Sequence, residues 1–353
     1  MPLHKANGSQ KLHLKEGQAF CITFSSDYIS REHYRDPWNE VRIGRLLQDL
    51  DALATTISVK HCSDDGSKTR PLFLVTAAVD KIVLKKPLSV SIDMKIVEDP
   101  EDDSDSVALT ATFICVAIDS KTGEAVPVNR ILPETKQEKA LLEETEAQNS
   151  LRKSKRGKEL VNGEVLITKN RVEAMLAEGW IFNNIPSLAD RESILMRESR
   201  LESSLICQPQ HRNMHGRVFG GFLMHRAFEL AFSTAYAFAG LVPCFSEVDH
   251  IEFLKPVDVG DFLRFKTCVL YKKPEDPEQP LIHVEVVAHV TSPEKRSAEV
   301  SNTFYFSFTV RPEAKVTMKK DLKIKNVIPE TEEEARPMVG LKKKRQQLDG
   351  EYI

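Results

Sequence analysis

The chain has 353 residues, of which 41% are hydrophobic and 29% are charged, and its formal net charge is −3. The near-balanced charge disfavours nucleic acid as a partner. No apolar run approaches the ~18 residues that a membrane span requires. The six cysteines include no Cys-x-x-Cys pair, a pattern typical of reduced thiols in an intracellular protein.

One segment of the first half returns in the second half. Residues 41–54 match residues 218–231, and each copy is followed by an extended stretch containing Val-Asp-x-Ile. Further along the chain, each half is followed by the sequence Pro-Glu-Thr. The equivalent landmarks, which are 177, 169 and 196 positions apart, are Gly44 and Gly221, Asp80 and Asp249, and Glu134 and Glu330. Three landmarks recurring in order indicate a duplicated domain.

The first unit is predicted to be one strand short. It offers 30 residues, 89–118, for what occupies 50 residues, 261–310, in the second unit. A missing strand would leave an open sheet edge in the first unit. The highly charged segment 133–195 that follows is predicted to be a partly helical linker, and its basic cluster 152–158 is interpreted as solvated.

The second unit shows the predicted elements more clearly. A β-prone run is followed by a segment, 219–239, that is apolar almost all round and therefore predicts a buried helix. The predicted strands are 201–208, 244–254, 262–271, 281–290 and 302–310. Turn residues separate these runs, which favours an antiparallel sheet.

A buried helix wrapped by an antiparallel sheet is the hotdog arrangement, so the sequence predicts an α+β double hotdog with two tandem units. The first hotdog domain is placed at residues 15–132, the linker at 133–195 and the second hotdog domain at 196–312. A polar tail, including the basic cluster 342–345, is placed at 313–353. Two domains agree with the chain length.

Several stretches in order resemble the mitochondrial acyl-coenzyme A thioesterase 9 family over roughly residues 15–310. The resemblance is carried by residues 213–224, 229–231, 41–54, 71–80 and 248–260. It implies a hydrolase acting on fatty acyl-CoA, without a metal or redox cofactor. It also implies a mitochondrial location, although residues 1–15 form no clear presequence; a cytoplasmic location is the alternative.

Thioester hydrolysis needs a polarised carbonyl, and the amino end of a buried helix has unpaired N–H groups for this. Gly220 and Gly221 permit close approach of a substrate, with Phe219 beside them. The resemblance implies that Asn213 orients the carbonyl or the water, and His215 is a candidate contact to the coenzyme. The structural alternatives are close helix–sheet packing for the glycines and a turn or cap for Asn213.

The carboxylate expected of related enzymes, seven positions after the second glycine, is present in only one copy. Asp51 follows Gly44 at this spacing, whereas Phe228 follows Gly221. Because the second unit supplies Asn213 and the glycines, we expect one composite site between the units, with Asp51 as general base or nucleophile. A helix cap or a salt bridge is the structural alternative for Asp51.

Other polar residues are weaker candidates. Glu229 is the second candidate carboxylate, and nearby Asp49 competes with Asp51. Asp80 and Asp249 recur in both units, which favours a structural role. His211 and His215 are four positions apart but lack a third ligand, so no metal site is predicted. The absence of Gly-x-Ser-x-Gly disfavours a serine-dependent thioesterase.

The function predicted from the sequence is hydrolysis of fatty acyl-CoA to a free fatty acid and coenzyme A. The alternative is a non-catalytic acyl-CoA-binding or regulatory protein, motivated by the missing strand in the unit that carries Asp51. A hotdog hydratase would share the fold but matches the residues less well. A double hotdog is its own pseudo-dimer, and further assembly into a homo-oligomer is open.

Overall fold

The computed structural model describes residues 19–62, 72–92, 94–97, 107–128, 162–273, 280–311 and 324–340, with scattered single positions between 133 and 146. The helices used below are α1 Tyr28–Tyr34, α2 Ile43–Cys62, α3 Asn162–Asn184 and α4 Gly220–Ala239; residues 332–340 are also helical. The strands are β1 Ala19–Ile22, β2 Leu72–Leu84, β3 Met94–Val97, β4 Leu109–Asp119, β5 Ser193–Leu195, β6 Leu201–Ile206, β7 Pro243–Phe253, β8 Phe262–Lys273, β9 Leu281–Ser292, β10 Ser297–Val310 and β11 Asn326–Ile328.

Seven strands form one sheet in the order β4-β2-β7-β10-β9-β8-β6. Neighbouring strands are antiparallel throughout. The seam between the two units is the β2–β7 pair, in which Val79 lies opposite Ile251 and Ile82 opposite Val248. Each of these four residues is fully buried. The two repeats therefore share one continuous sheet.

The long helices α2 and α4 pack against each other and against this sheet. In α2 the buried residues Ile43, Leu46, Leu47 and Leu50 follow helical spacing, which places one apolar stripe toward the core. Helix α4 is apolar on more of its surface and ends at Gly240, whose φ of 66° gives a left-handed cap. This arrangement confirms the predicted double hotdog of class α+β.

The first unit has fewer strands than the second in the part of the chain described. In the second unit, β9 joins β8 and β6 to β10. In the first unit, β1 and β3 form a separate two-stranded sheet, while β4 pairs with β2 at the end of the large sheet. Among the described residues no counterpart of β9 lies between β3 and β4. For the described residues, the prediction that the first unit is one strand short is confirmed. Strand β4 is therefore the outermost strand at this end of the sheet.

The regions predicted as linker and tail contain ordered structure. Helix α3 falls within the linker, and β5 pairs in parallel with β11 from the tail. Val172 of α3 packs with Ala335 and Val339 in a small second core. Residues 324–340 are therefore packed rather than solvated, while both basic clusters lie outside the described residues. The domain boundaries themselves stay a prediction.

Candidate active site between the two units

The amino-terminal halves of α2 and α4 approach each other at glycines. A Cβ atom on Gly221 would lie 2.8 Å from the backbone oxygen of Gln48 and 2.9 Å from its Cα atom. A Cβ atom on Gly44 would lie 2.8 Å from Cδ2 of His225. At Gly221, where the contact is with backbone atoms, only glycine permits so close a helix crossing. Across it, the side chains of Gln48 and His225 are in hydrogen-bond contact at 3.1 Å.

The close crossing places Asp51 of α2 against the beginning of α4. Its side chain is buried, with 1% of the residue exposed. The Gly221 N–H donates a hydrogen bond to the carboxylate, and the Thr76 hydroxyl donates to Oδ1 at 2.6 Å. Burial raises the pKa of Asp51 to about 6, although these two hydrogen bonds oppose the rise. At neutral pH this carboxylate is ionised, and its pKa suits a general base.

Asn213 lies in the loop before α4, where its side chain fixes a turn. Its Oδ1 accepts hydrogen bonds from the N–H groups of His215, at 2.9 Å, and Arg217, at 3.2 Å. Gly216, within the turn, has a φ of +82°. The side-chain oxygen of Asn213 therefore stabilises the turn, which is the structural alternative predicted for this residue. Its amino group is the part that remains for a substrate.

A cavity of about 360 Å³ connects these residues across the two units. Five of the residues predicted for the site line it, namely Asp51, Asn213, His215, Phe219 and Gly220. Gly221 lies beside Asp51 but does not itself line the cavity. The His215 ring packs on Phe73 with centroids 4.3 Å apart. The composite arrangement expected from the unequal repeats is thus present in the geometry.

Glu229 lies elsewhere. It lines a second cavity at the other end of the helix pair and bonds Arg42, Arg226 at 2.9 Å and His225 at 3.1 Å. Although burial opposes it, hydrogen bonds from His225 and Arg42 lower the pKa of Glu229 to about 2. Such a weakly basic carboxylate, distant from Asn213, does not join the first cavity.

The remaining candidates also lie outside the first cavity. Asp49 accepts a hydrogen bond from Tyr34 and faces Arg45 at 3.3 Å. Asp249 accepts from Ser307 at 2.9 Å, a contact between neighbouring strands that fits the structural role expected of it. The ring of His211 is stacked on another aromatic ring. Among the described residues, no group of three His, Cys, Asp or Glu side chains is placed to hold a metal ion.

Two residues of this cavity were not singled out by the sequence. Thr76 lies in the segment 71–80 that carries the family resemblance, and only the fold brings it to Asp51. Asn302 is fully buried on β10, and neither of its amide atoms has a hydrogen-bond partner among the described residues. The sequence did contain a signal for Asn302, because this polar residue falls on the same face of β10 as the buried Phe304, Phe306 and Phe308.

Comparison with known proteins gives strong sequence relatives. The chain is 64% identical over 338 residues to acyl-coenzyme A thioesterase 2, chloroplastic, of Humulus lupulus, covering 89% of this chain and 76% of the relative. It is 56% identical to acyl-coenzyme A thioesterase 4, mitochondrial, of the same plant, covering 90% of this chain and 64% of the relative, less than two thirds of its length. Human acyl-coenzyme A thioesterase 9, mitochondrial, is 32% identical, with 85% and 72% covered.

Solved structures similar to the chain are more distant. An acyl-CoA hydrolase from Staphylococcus aureus is 24% identical, with a TM-score of 0.36, covering 45% of this chain and 95% of that one. A hexameric acyl-CoA thioesterase is 20% identical, with a TM-score of 0.37, covering 45% and 97%. No protein-family model matches the chain.

The structure is a double hotdog in which a buried carboxylate lies at the amino end of a helix. By its sequence relatives, the chain belongs to the acyl-coenzyme A thioesterase family, as the resemblance predicted.

Proposed function

We propose that the protein hydrolyses fatty acyl-CoA to a free fatty acid and coenzyme A in the cavity between the two units. The observation that carries the proposal is the buried Asp51 of one unit, held by the Gly221 N–H of the other. Asp51 acts as the general base that takes a proton from water. Water adds to the thioester carbonyl, the C–S bond breaks, and the sulfur leaves as the coenzyme thiol after receiving that proton.

The amino end of α4 supplies the electrostatic part of the reaction. The Gly221 N–H is engaged by Asp51, so its role is to orient the base. The Gly220 N–H and the Asn213 amino group are the donors proposed for the thioester oxygen, where negative charge develops. Each such donor is typically worth about 3 kcal/mol of transition-state stabilisation. His215 and Phe219 form the adjoining wall that the substrate contacts.

Asn302 is proposed to bind the coenzyme arm. Burying an amide without partners costs free energy, so its two atoms are suited to a ligand that offers both a donor and an acceptor. A secondary amide offers both. The arm of coenzyme A contains such amides, whereas a saturated acyl chain contains none.

The alternative, a binding protein without catalysis, depended on displacement of α2 by the missing strand. In the structure α2 packs against α4, and Asp51 keeps both hydrogen bonds. This geometry favours hydrolysis over the alternative.

The proposal is tested by measuring thiol release from short-, medium- and long-chain acyl-CoAs. We expect turnover by the wild-type protein, and a roughly 10²–10⁴-fold lower kcat in Asp51→Asn with near-normal substrate binding. Asp49→Asn is the matched control and should retain turnover. Turnover that survives in Asp51→Asn would remove Asp51 from the mechanism.

We propose an organellar location, because the relatives carry mitochondrial and chloroplastic names; within that, the mitochondrion is our specific proposal. Imaging of the full chain as a fluorescent fusion tests it. No helix of the described residues is long and apolar enough to cross a membrane. Acyl-CoA is the proposed partner, and light scattering will determine whether the pseudo-dimers assemble further.

A further inference from the structure

The second cavity begins with the same backbone as the proposed active site. Asp36 occupies the position of Asn213, and its Oδ1 accepts from the N–H groups of Trp38, at 2.9 Å, and Glu40, at 2.8 Å. Asn39, equivalent to Gly216, also has a positive φ, of 65°. The loop before α2 therefore has the same side-chain to backbone hydrogen bonds as the loop before α4.

The chemistry of the two cavities is different. Phe228 occupies the position of Asp51, 177 residues apart, and Phe245 occupies that of Thr76, 169 residues apart. The two phenyl rings pack edge to face with centroids 5.5 Å apart. An aromatic pair thus replaces the carboxylate and hydroxyl pair. This cavity has no base at the position from which Asp51 would act.

Loss of the base has not closed the second cavity. Its volume is about 1170 Å³, compared with about 360 Å³ for the first. Its wall is aromatic, with Trp38 5.6 Å from Phe232 and 6.1 Å from Tyr236, measured between ring centroids. Aromatic side chains lining an open cavity are suited to apolar ligands.

Charged groups also line this cavity. Arg311 lies over the Trp38 ring at 5.2 Å and pairs with Glu40 at 2.6 Å and with Asp36 at 3.5 Å. Arg42, at the beginning of α2, pairs with Glu229 and is about half exposed, with 45% of its side chain accessible. An oxygen-bearing head group is therefore complementary to the helix amino end, and the aliphatic part to the aromatic wall.

We infer that the second cavity binds the aliphatic chain of a long acyl group, with its oxygen-bearing head at the beginning of α2, and does not hydrolyse it. The ligand class rests on the proposed function, since it comes from equivalence with the proposed active site. Two sources share this chemistry, a long-chain acyl-CoA and a free fatty acid. Both are present whenever the enzyme turns over.

The chain contains its own reporter of this cavity. It has two tryptophans; Trp38 lines the cavity, whereas Trp180 on α3 is 57% exposed and lies outside both cavities. Trp180→Phe leaves Trp38 as the single emitter. We would titrate this variant with a non-hydrolysable thioether analogue of palmitoyl-CoA and, separately, with palmitate, while following emission and acrylamide quenching.

We expect saturable protection of Trp38 from quenching, and no change in the matched variant Trp38→Phe, which reports Trp180 alone. Ser233→Phe, placed at the exposed edge of the same cavity, should abolish the protection while thiol release from acyl-CoA continues. Protection by palmitate alone identifies the fatty acid as the source, and protection by the analogue alone identifies acyl-CoA.

An unchanged Trp38 signal with both ligands overturns the inference, as does protection that persists in Ser233→Phe. If Ser233→Phe does not fold, Ala237→Phe at the same wall gives the same comparison. Failure of the proposed function is distinguishable, because absent thiol release leaves the quenching result intact. The converse result, thiol release without protection, leaves the proposed function intact.

Discussion

At the residue scale, the site combines a carboxylate with an environment that disfavours its charge. Asp51 is buried beneath the crossing of two helices, and two hydrogen bonds recover part of the lost hydration. A base prepared in this way costs stability, as is common where activity requires a buried ionised group. The effect of this environment on Asp51 can be measured in two ways, from the pH dependence of turnover and from the free energy of unfolding.

The pH dependence of turnover should follow the ionisation of Asp51. Only the ionised carboxylate accepts a proton, so kcat/KM should fall as pH decreases through about 6. Thr76→Val removes a hydrogen bond that lowers this pKa, and the acid limb should therefore move to higher pH. Thr55→Val is the control, because the Thr55 hydroxyl bonds the backbone oxygen of Asp51 instead of its carboxylate. An identical shift in both variants would contradict the assignment.

The free energy of unfolding should also depend on the ionisation of Asp51. It should decrease as pH rises, whereas kcat/KM should increase. The pKa of Asp51 is about 6 in the folded chain against a usual 3.8, so the folded state binds more protons than the unfolded state between these values. Stability from this group is thus lost as pH rises through that window. Asp51→Asn should raise the free energy of unfolding by up to ~3 kcal/mol at about pH 8, and less at about pH 4. Urea titrations at both pH values test this. An equal increase in the free energy of unfolding at both pH values would contradict the raised pKa of Asp51.

Asn302 has a natural comparison in the other repeat. It lies opposite Phe253 on β7, and the equivalent Leu109 lies opposite Leu84 on β2. Asn302→Leu should raise KM for acyl-CoA roughly tenfold, about the value of a hydrogen bond, with little change in kcat. An acyl thioester of thiophenol lacks the amides and should show no such increase. A KM effect on both substrates would assign Asn302 to the acyl group or to structure.

At the element scale, the crossing of α2 and α4 determines where Asp51 lies. The two glycines at the crossing are not equivalent, because Gly221 faces the backbone of Gln48, whereas Gly44 faces mainly the movable side chain of His225. A methyl group can displace a side chain more easily than a helix backbone.

Gly221→Ala should therefore destabilise the fold by ~1–3 kcal/mol and reduce kcat, because Asp51 would move away from the Gly221 N–H. Gly44→Ala should cost less in both. Thermal unfolding and thiol release measured on the two variants give the comparison. Equal losses would show that the backbone contact at Gln48 does not set the spacing.

These elements also show how far sequence reasoning extends. The repeat predicted both helices, because buried stripes and glycines leave clear patterns. It also predicted a site shared by Asp51 and Asn213; both line one cavity, and the site itself stays a prediction. It missed Thr76, because β2 reaches α2 only through the tertiary fold. It missed the packing of 324–340 on α3, because three-residue strands such as β5 and β11 carry no periodicity to detect.

At the scale of the whole molecule, the two repeats form one structural unit. The β2–β7 pair continues the sheet across the seam, and residues of both repeats share the main hydrophobic core. Neither repeat can unfold without exposing the apolar surface of the other. We therefore expect a single cooperative transition.

Denaturation of Trp180→Phe should give coincident midpoints by Trp38 emission and by far-ultraviolet circular dichroism. Trp38 reports the first repeat at its contact with Phe232 of the second, while dichroism reports both. Separate midpoints would show that the repeats unfold independently.

Covalent fusion of the repeats has an evolutionary consequence. In a dimer of identical subunits, every inherited change appears in both symmetry-related clefts at once, so neither can specialise while the other is kept. Joining the subunits in one gene removes that restriction. Under the proposed mechanism, a dimer of identical subunits could carry Phe228 and Phe245 at these positions only by giving up catalysis, whereas the fused chain carries them together with Asp51 and Thr76.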